Sequence, residues 1–271
     1  MTESTIAKLA AQDQAPLTAP YVAPDRAYDE AFSETRQPRL PWQPVMSAVH
    51  QLGTEGMQDR HIRAQRILRD DGATYNLKSD PLSPNVWSLD IIPNVIDKSE
   101  WLNLETALKQ RAHLFDLIYK DLYGEQRLLK EGVLPSEIVF SHPGFLRQCH
   151  GMHWPSETAL TFHAVDLVRD QSGQFIATGD RTQAPSGAGY ALENRTVVSR
   201  VLPSLFRDSQ TMRLAGFFQT VRETLSQLAS DLTDSPRIVV LTPGAYSSTY
   251  FEQAYLATHL GYPLVQGGDL T

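Results

Sequence analysis

The sequence predicts an α/β fold, a mixed sheet holding a β-hairpin and a C-terminal βαβ unit. Three observations carry that expectation. Two strand-like runs, "TALTFHAVDLVRD" and "QFIATGDRT", flank Gln171-Ser172-Gly173, and β-branched and aromatic residues on either side of a glycine turn read as a hairpin. Near the end, "RIVVLTPG", "SSTYFEQAYLATHLG" and "YPLVQGG" follow as strand, helix and strand, an order that calls for parallel strands and a right-handed crossover. Before them, apolar residues recur at helical three- and four-residue spacing.

Taken in order, residues 1–45 carry many Pro, Ala, Gln and Asp residues and little apolar periodicity. They read as a mobile arm that becomes ordered only where it docks. Residues 46–235 then form the helical and hairpin part of the body, and 236–271 the start of the βαβ unit. From Trp101, residues Leu104, Leu108, Ala112, Phe115, Ile118 and Leu122 keep helical spacing until Gly124 closes the run, so an amphipathic helix is expected to dock by that stripe. Ile138 to Phe140 predict a short strand ahead of a Pro143-Gly144 turn.

A helix is expected from about Gly189 to Leu202, where Pro203 ends or kinks it. Another spans about 211–229, with Leu214, Phe217, Phe218, Val221, Leu225 and Leu228 on one face. In the last helix Ser247 or Ser248 is the expected N-cap, and Gly261 lies just past the end.

Charge and composition narrow the functions. The chain has 24 basic and 31 acidic residues, a net charge of -7, which argues against a duplex nucleic-acid partner. Cys149 is the single cysteine, so no intrachain disulfide is expected. The first twenty residues lack a charged segment followed by an apolar core, and no run approaches the ~20 apolar residues of a bilayer span. A soluble, cytoplasmic protein without a membrane partner is the expectation.

The densest chemistry lies in "GDRTQAPSGAGYALENR", Gly179 to Arg195. Gly187 and Gly189 stand directly before a helix, where free backbone amides favour a phosphate or carboxylate; read structurally, Pro185-Ser186-Gly187 is simply the turn that feeds the helix. Asp166 and Asp180 sit on neighbouring strands. They suit Mg²⁺ if they share a face and are ordinary solvent-facing polar residues if they do not. Arg181, Arg195 and Arg200 suit carboxylate or phosphate oxygens, or else pair with nearby acids such as Glu193. "CHGMH" brings Cys149, His150 and His153 together but lacks a second ligand pair at zinc-site spacing.

Four longer stretches occur in order: "YGEQRLLKEGVLPSEIVFSHPGFLRQCHG", "VDLVRD", "DRTQAPSGAGYALENRTVVSRVLPSLF" and "LTPGAYSSTYFEQAYLATHLGYPLVQGGDLT". Together they closely resemble the circularly permuted ATP-grasp family, type 2, from about Tyr28 to Thr271, and distantly glutathionylspermidine synthase. The resemblance implies two α/β lobes that clasp ATP, with Mg²⁺ bridging its phosphates. It also implies a carboxylate activated as an acyl phosphate for attack by an amine, where catalysis is positioning plus electrostatics.

By that resemblance Asp166 matches the first metal-binding aspartate; either the metal set is incomplete or Asp180 joins it through a shifted backbone, so Asp166 and Asp180 are the expected metal ligands. Ser186, Gly187 and Asn194 bind the cofactor, and Arg181 and Glu193 are catalytic. Where the distant relatives carry a metal-binding Glu-x-Asn before a Thr-Pro turn, this chain has Gly179-Asp180-Arg181 before Ala184-Pro185. Family members continue past "GGDLT" into a glycine-rich segment with the ATP-binding lysine. The resemblance therefore implies an incomplete ATP-grasp architecture with a pre-ATP-grasp-like βαβ unit. This front half of a carboxylate–amine ligase for a small-molecule, peptide or polyamine-like substrate is inactive until the other half is supplied, in trans or in a longer protein. The competing expectation is a catalytically degenerate anion-binding or assembly module. A third is metal binding by Cys149, His150 and His153.

Overall fold

The computed structural model of the chain describes residues 21–22, 27–75, 85–154, 156–229 and 233–270. Most of the leading arm, residues 1–20 and 23–26, lies outside the described residues. The later part of it docks. The ring of Tyr28 packs where a Cβ on Gly173 would stand, and Trp42 and Val45 are buried in the core.

Helix α1 (Gln43–Asp70) bends at Gly53, whose φ of 64° leaves the helical region. Helix α2 (Lys98–Tyr123) starts on Asp97, whose carboxylate accepts from Ser99 N, and it covers the expected amphipathic run. Its buried residue is not in the apolar stripe but is Asp116. The stripe is only half-buried, and the helix is fixed by polar anchors. Asp116 accepts from the amides of Ala159 and Leu160 and from Lys120 Nζ.

Two short helices follow, α3 (Arg127–Lys130) and α4 (Ser136–Phe140). The second corrects the strand expected at Ile138–Phe140. Pro135 sets up a helical turn closed by Ile138 N to Pro135 O and Ser141 N to Glu137 O. Ile138 is 66% exposed, and a strand with no partner strand cannot satisfy its backbone.

The hairpin is as expected: β1 (Ala164–Arg169) pairs antiparallel with β2 (Phe175–Arg181). Asp170 closes the turn by accepting from the amides of Ser172 and Gln174. Helix α5 (Ala188–Val201) breaks at Leu202, and Pro203 opens helix α6 (Pro203–Asp208). Helix α7 covers Ala215–Gln227.

At the end, β3 (Val240–Leu241), helix α8 (Tyr250–Leu260) and β4 (Leu264–Val265) form the expected parallel βαβ unit. Gly261 takes the left-handed C-cap, at φ 77°. The N-cap moves to Thr249, which makes no side-chain cap bond; Ser247 instead accepts from Thr249 N in a local turn. The single mixed sheet is also corrected. Among the described residues the antiparallel hairpin and the parallel pair are two separate two-stranded sheets.

Helix α5 organises the interior. Tyr190, Val197 and Val201 join Val45, Val49 and Leu68 of α1 and Phe251 of α8 in the larger cluster. Phe218, Val221 and Leu260 form a second one, against Leu192 and Leu256. No helix among the described residues is long and apolar enough to cross a membrane.

Candidate functional site

The glycine turn ahead of α5 does hold an anion, and the anion is the chain's own. Gly187 N and Gly189 N both donate to one carboxylate oxygen of Glu252, at 2.6 and 2.9 Å. Gly187 sits at φ 124°, a conformation side-chain-bearing residues rarely take, and this aims its amide along the helix N-terminus. Gly189 is required for another reason. A Cβ there would meet Glu252 Cγ at 2.8 Å and Leu256 Cγ at 3.3 Å, so only glycine lets α8 approach this closely. Two convergent amides at a positive helix end form an oxyanion seat. Ser186 is exposed beside it.

The ribbon does not bring Asp166 and Asp180 together. Asp166 pairs in register with Gly179, and Asp180 with Val165. Successive residues of a strand alternate faces, so the two carboxylates point to opposite sides. The expected joint Mg²⁺ site is corrected accordingly.

On the inner face Arg111 makes a bidentate pair with Asp180, at 2.7 and 2.5 Å, and His163 Nε2 stands 2.9 Å from the same carboxylate. The Arg111 hydrogen bond is the largest influence and holds the Asp180 carboxyl at about 2, well below its ordinary value. On the outer face Arg181 reaches Asp166 at 3.0 Å, with side chains 59% and 52% exposed. A bulge lies between the two halves of the register: Leu167 pairs with Ala177, so Thr178 is the extra residue.

The remaining candidates lie inside the body. Glu193 is 1% exposed. Burial raises its carboxyl pKa, a hydrogen bond from Tyr255 opposes the rise, and Asp71 adds to it. One of its oxygens has no hydrogen-bond partner. Asn194 accepts from Trp87 Nε1 at 2.8 Å, which ties α5 to the segment between α1 and α2. Neither side chain joins the glycine turn or the ribbon. Among the described residues no three His, Cys, Asp or Glu side chains group as a metal site, Cys149, His150 and His153 included.

Sequence reasoning missed Glu252, Arg111 and His163. Thr249-Tyr250-Phe251-Glu252 spells a capping box, which assigns the glutamate to its own helix. The structure sends it instead to the N-terminus of α5, 63 residues away in sequence.

At the same end of the βαβ unit as Glu252 lie two loops in the position where open α/β sheets commonly take ligands. Thr242 and Gly244 follow β3, and Gly267 and Gly268 follow β4, so both loops leave the carboxyl ends of parallel strands. Thr242 Oγ1 donates to Gln253 Oε1 and accepts from Gly244 N. The Gln266 side chain packs against Gly244, where a Cβ would meet it at 3.1 Å.

Residues 93–271 match the family model for circularly permuted ATP-grasp type 2. The chain belongs to this family. Among its relatives, uncharacterized protein Rv2567 of Mycobacterium tuberculosis is 40% identical over 256 residues, covering 91% of this chain and 29% of the relative. Uncharacterized protein sll0335 of Synechocystis is 36% identical over 248 residues, covering 91% of this chain and 52% of that protein. Uncharacterized protein Rv2411c of M. tuberculosis is 32% identical over 244 residues, covering 90% and 44%. The chain thus spans about half or less of the length of these relatives.

ATP-grasp proteins generally use ATP and Mg²⁺, and the residues present fit the two unequally. The oxyanion seat has the chemistry of a phosphate or carboxylate site. The Mg²⁺ ligands do not fit, because Asp180 is locked by Arg111 and His163 and Asp166 faces away beside Arg181.

Proposed function

We propose that this chain is one part of an ATP-dependent carboxylate–amine ligase that positions anionic groups. Further polypeptide completes it with the nucleotide-binding lysine and the metal ligands, within a longer protein or in trans. The observation that carries this reading is the ATP-grasp family match over residues 93–271. One feature supports it: the glycine-bearing loops after β3 and β4, at the carboxyl ends of parallel strands. A peptide or polyamine-like amine and a carboxylic acid are the substrate class. The outward pair Asp166–Arg181 is the ribbon's ligand-facing element, while Asp180 and Glu193 maintain the scaffold.

A second reading, an anion-binding or assembly module without chemistry, is favoured by two specific observations. The seat is filled by Glu252, and the two ribbon carboxylates face apart. Calorimetric titration with Mg-ATP separates the two, using the chain alone and the chain joined to a C-terminal ATP-grasp segment of a relative. The ligase reading expects little binding by the chain alone. It expects saturable binding by the joined protein, with ADP release that depends on an added acid and amine. A joined, folded protein that neither binds ATP nor releases ADP leaves the module reading.

A further inference from the structure

A cleft of about 400 Å³ opens between α5, α6, α7 and α8, away from the glycine turn, the ribbon and the βαβ loops. Arg195, Arg213, Arg222 and His259 line it together with the rings of Phe206 and Phe218. That volume falls in the range of small-molecule sites. Among the described residues no carboxylate lines it.

This is unusual in a chain with 31 acidic and 24 basic residues. Elsewhere Arg111, Arg169 and Arg181 each hold a carboxylate, while Arg39 and Arg60 donate to backbone carbonyls. Among the described residues, Arg195, Arg213 and Arg222 make no ion pair. Of the acids closest in sequence, Glu193 is buried beside Tyr255 and Asp71, Asp208 pairs with Arg207, and Glu223 accepts from Gln219.

Arg195 is the informative member. It is half-buried, donates to the Met212 carbonyl, and its guanidinium lies 6.0 Å from the Phe206 ring centroid. Burial lowers its pKa without a counter-charge to offset it. The His259 ring stands edge-on to Phe218 at 4.7 Å, which fixes its position in the wall. Three guanidiniums lining one cleft with two aromatic rings match oxyanions carried on an organic skeleton. Guanidinium forks bind carboxylate and phosphate in paired hydrogen bonds, and the rings accept the skeleton.

We propose that this cleft binds a small organic polyanion, with two or more phosphate or carboxylate groups against the arginines and its skeleton over Phe206 and Phe218. The site is independent of the ligase reading, since none of its residues belongs to the seat or the ribbon.

The test is calorimetric titration of the chain with inorganic pyrophosphate and, separately, with citrate, each against sodium chloride of equal ionic strength. Saturable binding of one equivalent is expected. Preference for pyrophosphate or citrate tells a phosphate ligand from a polycarboxylate. Arg213 and Arg222 are exposed, so R213Q/R222Q should fold normally, as checked by circular dichroism. It should bind on the order of a hundredfold more weakly, about tenfold for each guanidinium replaced. In the parent chain the same anions should raise the melting temperature. Absence of saturable binding by both anions, or unchanged binding by R213Q/R222Q, overturns the proposal.

Discussion

Replacing Glu252 by alanine tests whether the seat ahead of α5 is held by a carboxylate. Two hydrogen bonds end on one oxygen, from Gly187 N at 2.6 Å and Gly189 N at 2.9 Å. Their surroundings differ. Gly189 is buried, so its amide has no water to turn to, whereas Gly187 is exposed and regains a water partner. A charge-assisted bond to a buried amide is worth about 1.5–3 kcal/mol, and the resolvated one about 0.5–1 kcal/mol. Glu252→Ala should therefore cost about 3 kcal/mol, before any loss of packing around the side chain.

In a body of this size that is roughly 6–12 °C of melting temperature. Glu252→Gln keeps an acceptor oxygen and loses only the charge, so it should cost about 1 kcal/mol. Urea and thermal denaturation of the three proteins give both numbers. A Glu252→Ala chain within about 0.5 kcal/mol of the parent, the level of an ordinary surface change, refutes the reasoning. Equal losses for the glutamine and alanine variants refute the two-amide geometry.

Further outcomes follow from the same region and its neighbours. Gly189→Ala gains about 1 kcal/mol of helix propensity but drives a Cβ to 2.8 Å from Glu252 Cγ, an overpacking cost of about 1–3 kcal/mol; its denaturation midpoint should fall, and that of Gly189→Val much further. The Asp180 carboxyl is depressed to about 2, below its unfolded value, so its stabilising effect is complete above about pH 4 and is lost as pH falls toward 2. Asp180→Asn should flatten the acid limb of stability against pH. Glu193 has the opposite sign: its raised pKa makes its contribution most favourable below the ordinary carboxylate range and least favourable once pH rises through the raised value. Glu193→Gln should then be more stable than the parent at neutral pH, with the gain shrinking on acidification, as measured by denaturant midpoints across pH.

How much of this is legible in the sequence varies with how local the cause is. The hairpin and the βαβ unit are readable because a turn chemistry, a residue period and a C-cap glycine each act within a few residues. Gly187 and Gly189 are likewise readable as anion-favouring from the helix start at which they stand. The faces of Asp166 and Asp180 are not readable, because one residue of register reverses a side chain and the bulge at Thr178 is set by pairing. Ile138 shows β-branching failing as a guide when no neighbouring strand exists. Asp116 shows an apolar stripe concealing its anchor, since the partners at Ala159 and Leu160 lie over forty residues on. Glu252 is hidden by a competing local pattern, Thr249-x-x-Glu252, that is satisfied on paper and bypassed in space.

The most direct measurement is chemical rescue of the Glu252→Ala chain by formate. If two glycine amides form a seat for an oxyanion, formate should recover part of the lost melting temperature in that variant, beyond sodium chloride of equal ionic strength, and should leave the parent unchanged. The same small response to formate and chloride in both proteins contradicts it.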